Sequence, residues 1–246
     1  MKLITLGSSS AGNGYLLQSE TETLIIEAGI RLSTVKKALD FNLRTVVGVI
    51  ISHKHGDHAK YLEEYAKAGI MVLTSLDVLS SQKVLVASTL CKEIKAGKVY
   101  KVGGFKIVPF DVCHDVPCLG FLISHPESGN VLFLTDTFMC EYTFENINHF
   151  MIEANYADDI LEDNITIGTV HPSMRFRLLQ THMELKTVKG IITANINAEV
   201  RNIVLIHLSS GNSQEDRFVR EIQEMTGIPV FAAKKNQEIN FNLNPY

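Results

Sequence analysis

Short apolar blocks recur along the chain and are separated by glycine, proline and polar residues. Residues 46–51 form a nearly continuous apolar run, which is typical of a strand buried on both faces. Similar blocks predict further strands on both sides of this run. The predicted strands are residues 2–6, 15–17, 23–28, 46–51, 70–74, 105–112, 119–124, 131–135, 150–154, 203–207, 229–232 and 238–241.

Apolar residues at helical spacing predict helices between these strands. Ser33 is expected to cap the first of them, while Gly69 and Gly227 are expected to end two others. Hairpins with interleaved helices fit an α/β or α+β class, with two facing sheets and helices outside. The predicted helices are residues 34–41, 60–68, 76–89, 185–195 and 214–226.

The composition predicts an ordinary globular protein. Hydrophobic residues make up 46% and charged residues 20% of the 246 residues, which favours one domain over residues 1–246 and excludes general disorder. No apolar stretch approaches the roughly 18 residues that a membrane span needs. The net charge of −4 argues against a duplex-DNA binder. Without a signal peptide or a C-x-x-C spacing, the four cysteines are expected to be reduced and the protein cytoplasmic.

The strongest chemical signal directly follows the buried strand at residues 46–51. His53, His55, Asp57 and His58 lie within six residues in the pattern H-x-H-x-D-H. Imidazole and carboxylate are the ligands that Zn²⁺ and Mn²⁺ accept. A strand places His53 and His55 on one side, and the following turn moves Asp57 and His58 to a neighbouring position. The spacing therefore predicts two adjacent ligand sets.

This motif resembles that of the metallo-β-lactamase superfamily, and later residues match the family's further ligands in order. His114, Asp136 and His207 each follow or end a predicted strand. The resemblance implies an α/β protein with an αββα sandwich and two divalent metal ions, Zn²⁺ or alternatively Mn²⁺. His53, His55 and His114 would hold the first ion. Asp57, His58 and His207 would hold the second, and Asp136 would bridge them.

Other residues are similar to those of the RNase Z and YycJ branch of this superfamily. His114 is followed by Gly120-Phe121, as in the H…GF pattern of that branch. His182 resembles its non-ligand histidine, which implies a general acid, although Glu184 stands where that branch usually has Ser or Thr. Glu153 matches the L-x-x-E-[SA]-N segment and would orient His182 and raise its pKa.

Substrate contacts are predicted at two further places. The hydroxyls of Ser8, Ser9 and Ser10 lie in a Gly-rich loop that could bind a phosphate oxygen, with a plain turn as the alternative. Arg175 and Arg177 lie in a segment that resembles a basic segment of YycJ-like proteins and could contact phosphates, with a solvated helix face as the alternative. Glu27 stands where the family usually has an Asp that supports a ligand histidine.

The resemblance implies a phosphodiesterase in which Asp57 orients a metal-bridging hydroxide and His182 protonates the leaving oxygen. The expected substrate is a cyclic mononucleotide or a single-stranded nucleic acid end, and a homodimer is compatible with the family. An ester, thioester or lactone hydrolase of the same fold remains an alternative. A metal-stabilised binding protein without turnover is a second alternative.

Overall fold

The computed structural model describes residues 1–82 and 89–244, in which strands and helices alternate along the chain. The strands are β1 Lys2–Gly7, β2 Gly14–Gln18, β3 Thr23–Ile26, β4 Val46–Ile50, β5 Val72–Thr74, β6 Cys91–Glu93, β7 Tyr100–Val102, β8 Phe105–Val112, β9 Cys118–His125, β10 Gly129–Leu134, β11 Ile147–Glu153, β12 Asn202–Ile206, β13 Val230–Ala232 and β14 Glu238–Asn240. The helices are α1 Leu32–Ala38, α2 Gly56–Ala59, α3 Leu62–Lys67, α4 Leu76–Ser81, α5 Asp158–Thr166, α6 Ser173–Thr181, α7 Leu185–Asn195 and α8 Glu215–Thr226.

The described strands form two seven-stranded mixed sheets. The first sheet has the order β14-β1-β2-β3-β4-β5-β6 and the second has the order β13-β12-β11-β10-β9-β8-β7. In the first, the pairs from β14 to β3 are antiparallel and those from β3 to β6 are parallel. The second repeats this plan, with its parallel pairs running from β10 to β13. The C-terminal ends of parallel strands lie at the same edge of a sheet. The segments that follow β4, β10 and β12 therefore lie at these edges, close to one another.

Three apolar layers show how the sheets and helices pack. Side chains such as Phe121, Phe133 and Val204 fill the space between the sheets. The outer face of the first sheet packs against α1, α3 and α4, and that of the second packs against α7 and α8. Burial of these faces removes apolar surface from water and stabilises the stack. The order helix, sheet, sheet, helix confirms the predicted αββα sandwich.

Several predicted helix bounds are wrong. Ser33 does not cap α1, because the helix begins at Leu32 and the Glu64 carboxylate accepts a hydrogen bond from the Leu32 N–H at 3.1 Å. The predicted helix 60–68 is α3, preceded by the separate short helix α2. The first part of the predicted helix 76–89 is α4, and Ser75 is its N-cap residue. Residues 83–88 of that prediction lie outside the described residues.

The sequence patterns gave no bounds for β6, α5 or α6, although a solvated helix face was one reading of the segment with Arg175 and Arg177. The α6 segment carries few core positions, because only Leu178 and Thr181 are buried among its nine residues. A helix with so narrow an apolar stripe gives little periodic signal. Among the described residues, no helix is long and apolar enough to cross a bilayer.

Candidate metal centre and acid–base pair

The end of β4 and the start of α2 position the H-x-H-x-D-H motif. The chain leaves β4 at Ile50, and His53 follows with a fully buried side chain. His55 occupies the N-cap position of α2, whose first turn carries Asp57 and His58. Extended chain before His55 and helix after it turn the two halves of the motif towards neighbouring positions, as the spacing predicted.

Three further site residues follow strands of the second sheet. His114 comes after β8, Asp136 after β10 and His207 after β12. Asp136 and His207 adopt left-handed backbone conformations, with φ of 45° and 53°. Such conformations are uncommon outside glycine and tend to occur at functional sites, where surrounding contacts maintain them. Here they turn the chain sharply at the strand ends and bring both side chains into the site.

The first ligand cluster contains His53, His55, His114 and Asp136, whose ligand atoms lie within 4.8 Å of one another. His114 Nε2 is 3.2 Å from His55 Nδ1. His53 Nε2 is 3.5 Å from Asp136 Oδ2. Three imidazole nitrogens and a carboxylate oxygen so close together form a ligand set suited to a divalent transition metal.

The second cluster contains Asp57, His58, Asp136 and His207, again within 4.8 Å. His58 Nε2 is 3.2 Å from Asp57 Oδ2 and 3.4 Å from Asp136 Oδ2. His207 Nε2 is 3.3 Å from Asp57 Oδ2. Because Asp136 belongs to both clusters, its carboxylate lies where a ligand common to two ions would lie.

The orphaned nitrogen of His53 is consistent with metal binding. His53 Nε2 is buried and has no hydrogen-bond partner among the described residues, although it points at Asp136 Oδ2. A buried polar atom without a partner is costly, so native sites usually satisfy it through water or an ion. The residues present therefore fit a divalent metal at this cluster.

The charges of the centre shift the pKa values of its members. Burial raises the pKa of Asp136, but the charges of His207 and His58 outweigh burial and hold it well below its ordinary value. Burial lowers the pKa of His207, but the Asp136 charge and hydrogen bonds to Asp57 and Glu153 raise it to about 10. A metal at His207 would thus displace a proton, which makes metal binding dependent on pH.

Glu153 and His182 form a pair at the edge of this centre. His182 Nδ1 is 2.6 Å from Glu153 Oε1, and the same oxygen is 3.1 Å from His207 Nδ1. The other Glu153 oxygen accepts a hydrogen bond from the Thr137 N–H at 3.2 Å. Burial lowers the pKa of His182, but the charge and hydrogen bond of Glu153 outweigh it, so the pKa is raised. His182 can therefore hold a proton near neutral pH.

Glu184, which stands where the RNase Z and YycJ branch usually has Ser or Thr, is the N-cap residue of α7. Its side chain caps α7 by accepting hydrogen bonds from the N–H groups of Lys186 and Thr187. Ser and Thr are preferred for such capping, and a carboxylate also interacts favourably with the helix N-terminus.

The predicted substrate contacts are separated by the structure. Ser8 Oγ lies 2.8 Å from the Tyr15 hydroxyl and accepts a hydrogen bond from the His207 N–H, so Ser8 supports the ligand loop. Ser9 accepts a hydrogen bond from the Ala11 N–H within its own turn. Ser10 lines the cleft over the metal centre.

The two predicted arginines also lie in different surroundings. Arg177 lines the same cleft as His182. Arg175 forms an ion pair with Glu162 of α5. Of the two, only Arg177 lines this cleft.

Asn13 and Glu27 support the second cluster. Asn13 Nδ2 is 3.0 Å from His58 Nε2 and 3.3 Å from Asp57 Oδ2. Glu27 is fully buried, has a φ of 69° and places Oε1 3.5 Å from His58 Nδ1. The sequence pattern indicated Glu27 but not Asn13, whose position between two glycines was the available signal.

Asp115 is a second residue that sequence analysis missed. Its Oδ1 is 3.1 Å from His114 Nε2 and 3.4 Å from His55 Nε2. Since His55 Nδ1 faces His114, its Nε2–H is free to donate to Asp115. A carboxylate on the ring nitrogen opposite the one that faces the cluster orients a ligand histidine and increases its basicity, which describes the contact to His55, whereas the His114 contact involves the Nε2 that faces His55. The position of Asp115 directly after His114 was the available signal in the sequence.

Replacing Asp115 with asparagine is expected to weaken metal binding by about 10- to 100-fold, as loss of such supporting groups usually does. Competition with a chromophoric chelator measures this affinity on the metal-free protein. Asp111→Asn is the matched control, because Asp111 is an exposed carboxylate on β8. Equal affinity of Asp115→Asn and the unmodified protein would contradict the assignment.

Comparison with known proteins agrees with this geometry. Residues 9–75 match the family model of the metallo-beta-lactamase superfamily. The exodeoxyribonuclease YycJ of Bacillus anthracis is 23% identical over 224 residues, which cover 86% of this chain and 83% of that protein. These findings confirm the resemblance that the motifs predicted.

Solved structures give the same answer for the fold. The metallo-beta-lactamase fold protein YhfI from Bacillus subtilis matches with a TM-score of 0.71 and 20% identity, covering 97% of this chain and 99% of that chain. The short form of human tRNase Z matches with a TM-score of 0.63 and 15% identity, covering 98% and 99%. The chain therefore has the αββα fold of these solved structures, its residues 9–75 are similar to the metallo-beta-lactamase superfamily, and its histidine and carboxylate clusters form candidate metal sites.

Proposed function

We propose that the protein is a two-metal phosphodiesterase that acts on a nucleotide substrate, either a cyclic mononucleotide or a single-stranded nucleic acid end. The observation that carries this proposal is the Glu153–His182 pair. It lies beside the two ligand clusters and contributes the His182 ring to the cleft that they line. The names of the relatives, an exodeoxyribonuclease and a tRNase Z, point in the same direction.

A proton donor at this place suits a phosphodiester, because its leaving group is a basic alkoxide. Glu153 binds the Nδ1 side of His182 and leaves Nε2 to carry the proton towards the cleft. General acids of this kind contribute about 10²- to 10⁴-fold to a rate. Thioesters and activated esters have less basic leaving groups and need this donor less.

The remaining roles follow from the two clusters. His53, His55 and His114 would hold one metal, Asp57, His58 and His207 would hold the other, and Asp136 would serve both. Bound metals lower the pKa of water and neutralise charge on a phosphoryl group. Asp57 lines the cleft and contacts both His58 and His207, so its carboxylate is placed to orient an attacking water. Zn²⁺ fits these ligands, and Mn²⁺ is the alternative.

Hydrolysis of bis-p-nitrophenyl phosphate by the metal-loaded protein tests the proposal. A thioester and a lactone measured in parallel distinguish the alternative hydrolases of the same fold. We expect turnover of the phosphodiester and little turnover of the other two substrates. Full metal occupancy without hydrolysis of any phosphodiester would contradict the proposal and favour a binding protein. Cyclic mononucleotides and single-stranded oligonucleotides then separate the two nucleotide classes.

A further inference from the structure

Helix α6 presents an unusually exposed surface next to the metal centre. Only Leu178 and Thr181 of this helix are buried, while Phe176 is 70% exposed and Leu179 is 41% exposed. The helix ends at His182, its C-cap residue. Exposed apolar side chains on a helix that leads directly into His182 indicate a surface that meets another molecule.

The charge of this segment differs from that of the whole protein. Residues 164–183 contain two arginines and two histidines but no acidic residue, whereas the chain has a net charge of −4. Among the described residues that line the cleft, Arg177 is the one with a permanent positive charge. It has no ion-pair partner in residues 1–82 or 89–244, unlike Arg175. The α6 surface is thus complementary to an anionic partner.

The cleft over the metal centre is small. Its volume is about 100 Å³. Pockets that enclose a whole small ligand usually measure roughly 300–1,000 Å³. A phosphate group fits such a cleft, but the sugars and bases joined to it must lie on the surrounding surface. Since Arg177 and Thr181 line the cleft, α6 is part of that surface.

We propose that the exposed face of α6 binds a single-stranded nucleic acid, with Phe176 stacking on a base and Arg177 contacting a phosphate beside the cleft. This inference rests on the proposed phosphodiesterase function and favours a strand over a mononucleotide. Phe176 and Arg177 are about 100° apart around the helix, so one faces outward while the other faces the cleft. Aromatic stacking combined with a cationic contact is the usual way of binding a single strand without sequence preference.

A second copy of the chain is the competing occupant of this surface. Two-fold pairing places the same patch of each subunit at the interface. Here it would bring together two helices that each carry Arg177, which has no ion-pair partner among the described residues, and this is unfavourable even though Arg175 is paired with Glu162. The phosphate backbone of a nucleic acid has the opposite charge and releases counterions when it binds. The charges therefore favour the nucleic acid.

Fluorescence anisotropy with a labelled single-stranded oligodeoxynucleotide of about 12 phosphorothioate-linked nucleotides, a usual site size, tests the inference. We expect Phe176→Ala and Phe176→Leu to weaken binding about tenfold, because both lose the ring face, and Phe176→Tyr to retain it. Phe41→Ala is the matched control, since Phe41 is 72% exposed but follows α1. Thermal melting checks that each variant is folded.

The salt dependence of binding tests the arginine separately. Each phosphate contact on a single strand contributes about 0.7 to the slope of log affinity against log salt. Arg177→Gln is expected to lower the slope by about this amount. Arg175→Gln should leave it unchanged, because Arg175 is already paired with Glu162.

Three results bear on the inference in different ways. Equal oligonucleotide affinity of Phe176→Ala and the unmodified protein would overturn it. A dimer in sedimentation that Phe176→Ala converts to a monomer, with unchanged oligonucleotide binding, would assign the surface to a second copy instead. Hydrolysis of bis-p-nitrophenyl phosphate by the unmodified protein tests the proposed function independently, so failure of either can be recognised.

Discussion

Asp136→Asn is expected to reduce hydrolysis of bis-p-nitrophenyl phosphate by about 10³-fold. Asp136 is common to both ligand clusters, so its charge is needed at the first and at the second. Metals contribute several kcal/mol to stabilisation of phosphoryl transfer, and each 1.36 kcal/mol corresponds to a factor of ten. Asparagine has nearly the same shape and tolerates the left-handed conformation of Asp136, whose φ is 45°. The variant should therefore fold while its metal content falls.

Steady-state kinetics and metal content by mass spectrometry measure both effects. Asp40→Asn is a closely matched control, because Asp40 also has a left-handed backbone with a φ of 48° but is exposed at the end of α1. It is expected to retain activity and metal. Full activity and full metal content of Asp136→Asn would exclude Asp136 from the centre.

His182→Ala is expected to have an effect that depends on the leaving group. With an unactivated dinucleotide, whose leaving group is a basic alkoxide, we expect a loss of about 10²- to 10⁴-fold. With bis-p-nitrophenyl phosphate the loss should be much smaller, because p-nitrophenolate leaves without protonation. The ratio of the two losses measures the acid role. Metal content should be unchanged, because the proposed two-metal site takes its ligands from the first two clusters, and His182 belongs only to a third group with Asp136, Glu153 and His207.

His171→Ala is the control for this experiment, since His171 is an exposed histidine before α6 that bonds to its neighbour Ser173. It is expected to leave both rates unaltered. Glu153→Gln should move the pH profile of dinucleotide hydrolysis to lower pH, because loss of the carboxylate charge lowers the pKa of His182. Equal losses for both substrates in His182→Ala would show that His182 is not the proton donor.

Local pattern predicted two facing sheets with helices outside and the H-x-H-x-D-H cluster, whereas the αββα sandwich and the roles of His114, Asp136 and His207 were implied by the resemblance to the metallo-β-lactamase superfamily. The H-x-H-x-D-H motif is compact in sequence, and residues 46–51 before it have the character of a buried strand. His114, Asp136 and His207 each follow an apolar block, and parallel strands bring their ends to a common edge. The α5 and α6 helices were missed for the opposite reason: α6 buries only two residues and so lacks a clear apolar stripe.

The roles of supporting residues depend on contacts between segments that are distant in sequence. Ser33 appeared to be a helix cap, but the carboxylate of Glu64 reaches Leu32 from another helix. Ser8 was predicted either to bind a phosphate oxygen or to lie in a plain turn, and in the structure its hydroxyl accepts a hydrogen bond from the His207 N–H, 199 residues away in sequence. Asn13 and Asp115 belong to no sequence motif. Their importance shows only in the structure, where Asn13 Nδ2 lies 3.0 Å from His58 Nε2 and Asp115 Oδ1 lies 3.1 Å from His114 Nε2.

The sequence by itself determined which residue types could bind metal and where strands would end, since both follow from neighbouring residues. Only the tertiary structure decided which of two nearby arginines is available. Nothing in the sequence distinguishes Arg175 from Arg177. In the structure, Glu162 of α5 forms an ion pair with Arg175, whereas Arg177 lines the cleft. Side-chain pairing of this kind depends on the packing of separate helices, which no local pattern encodes.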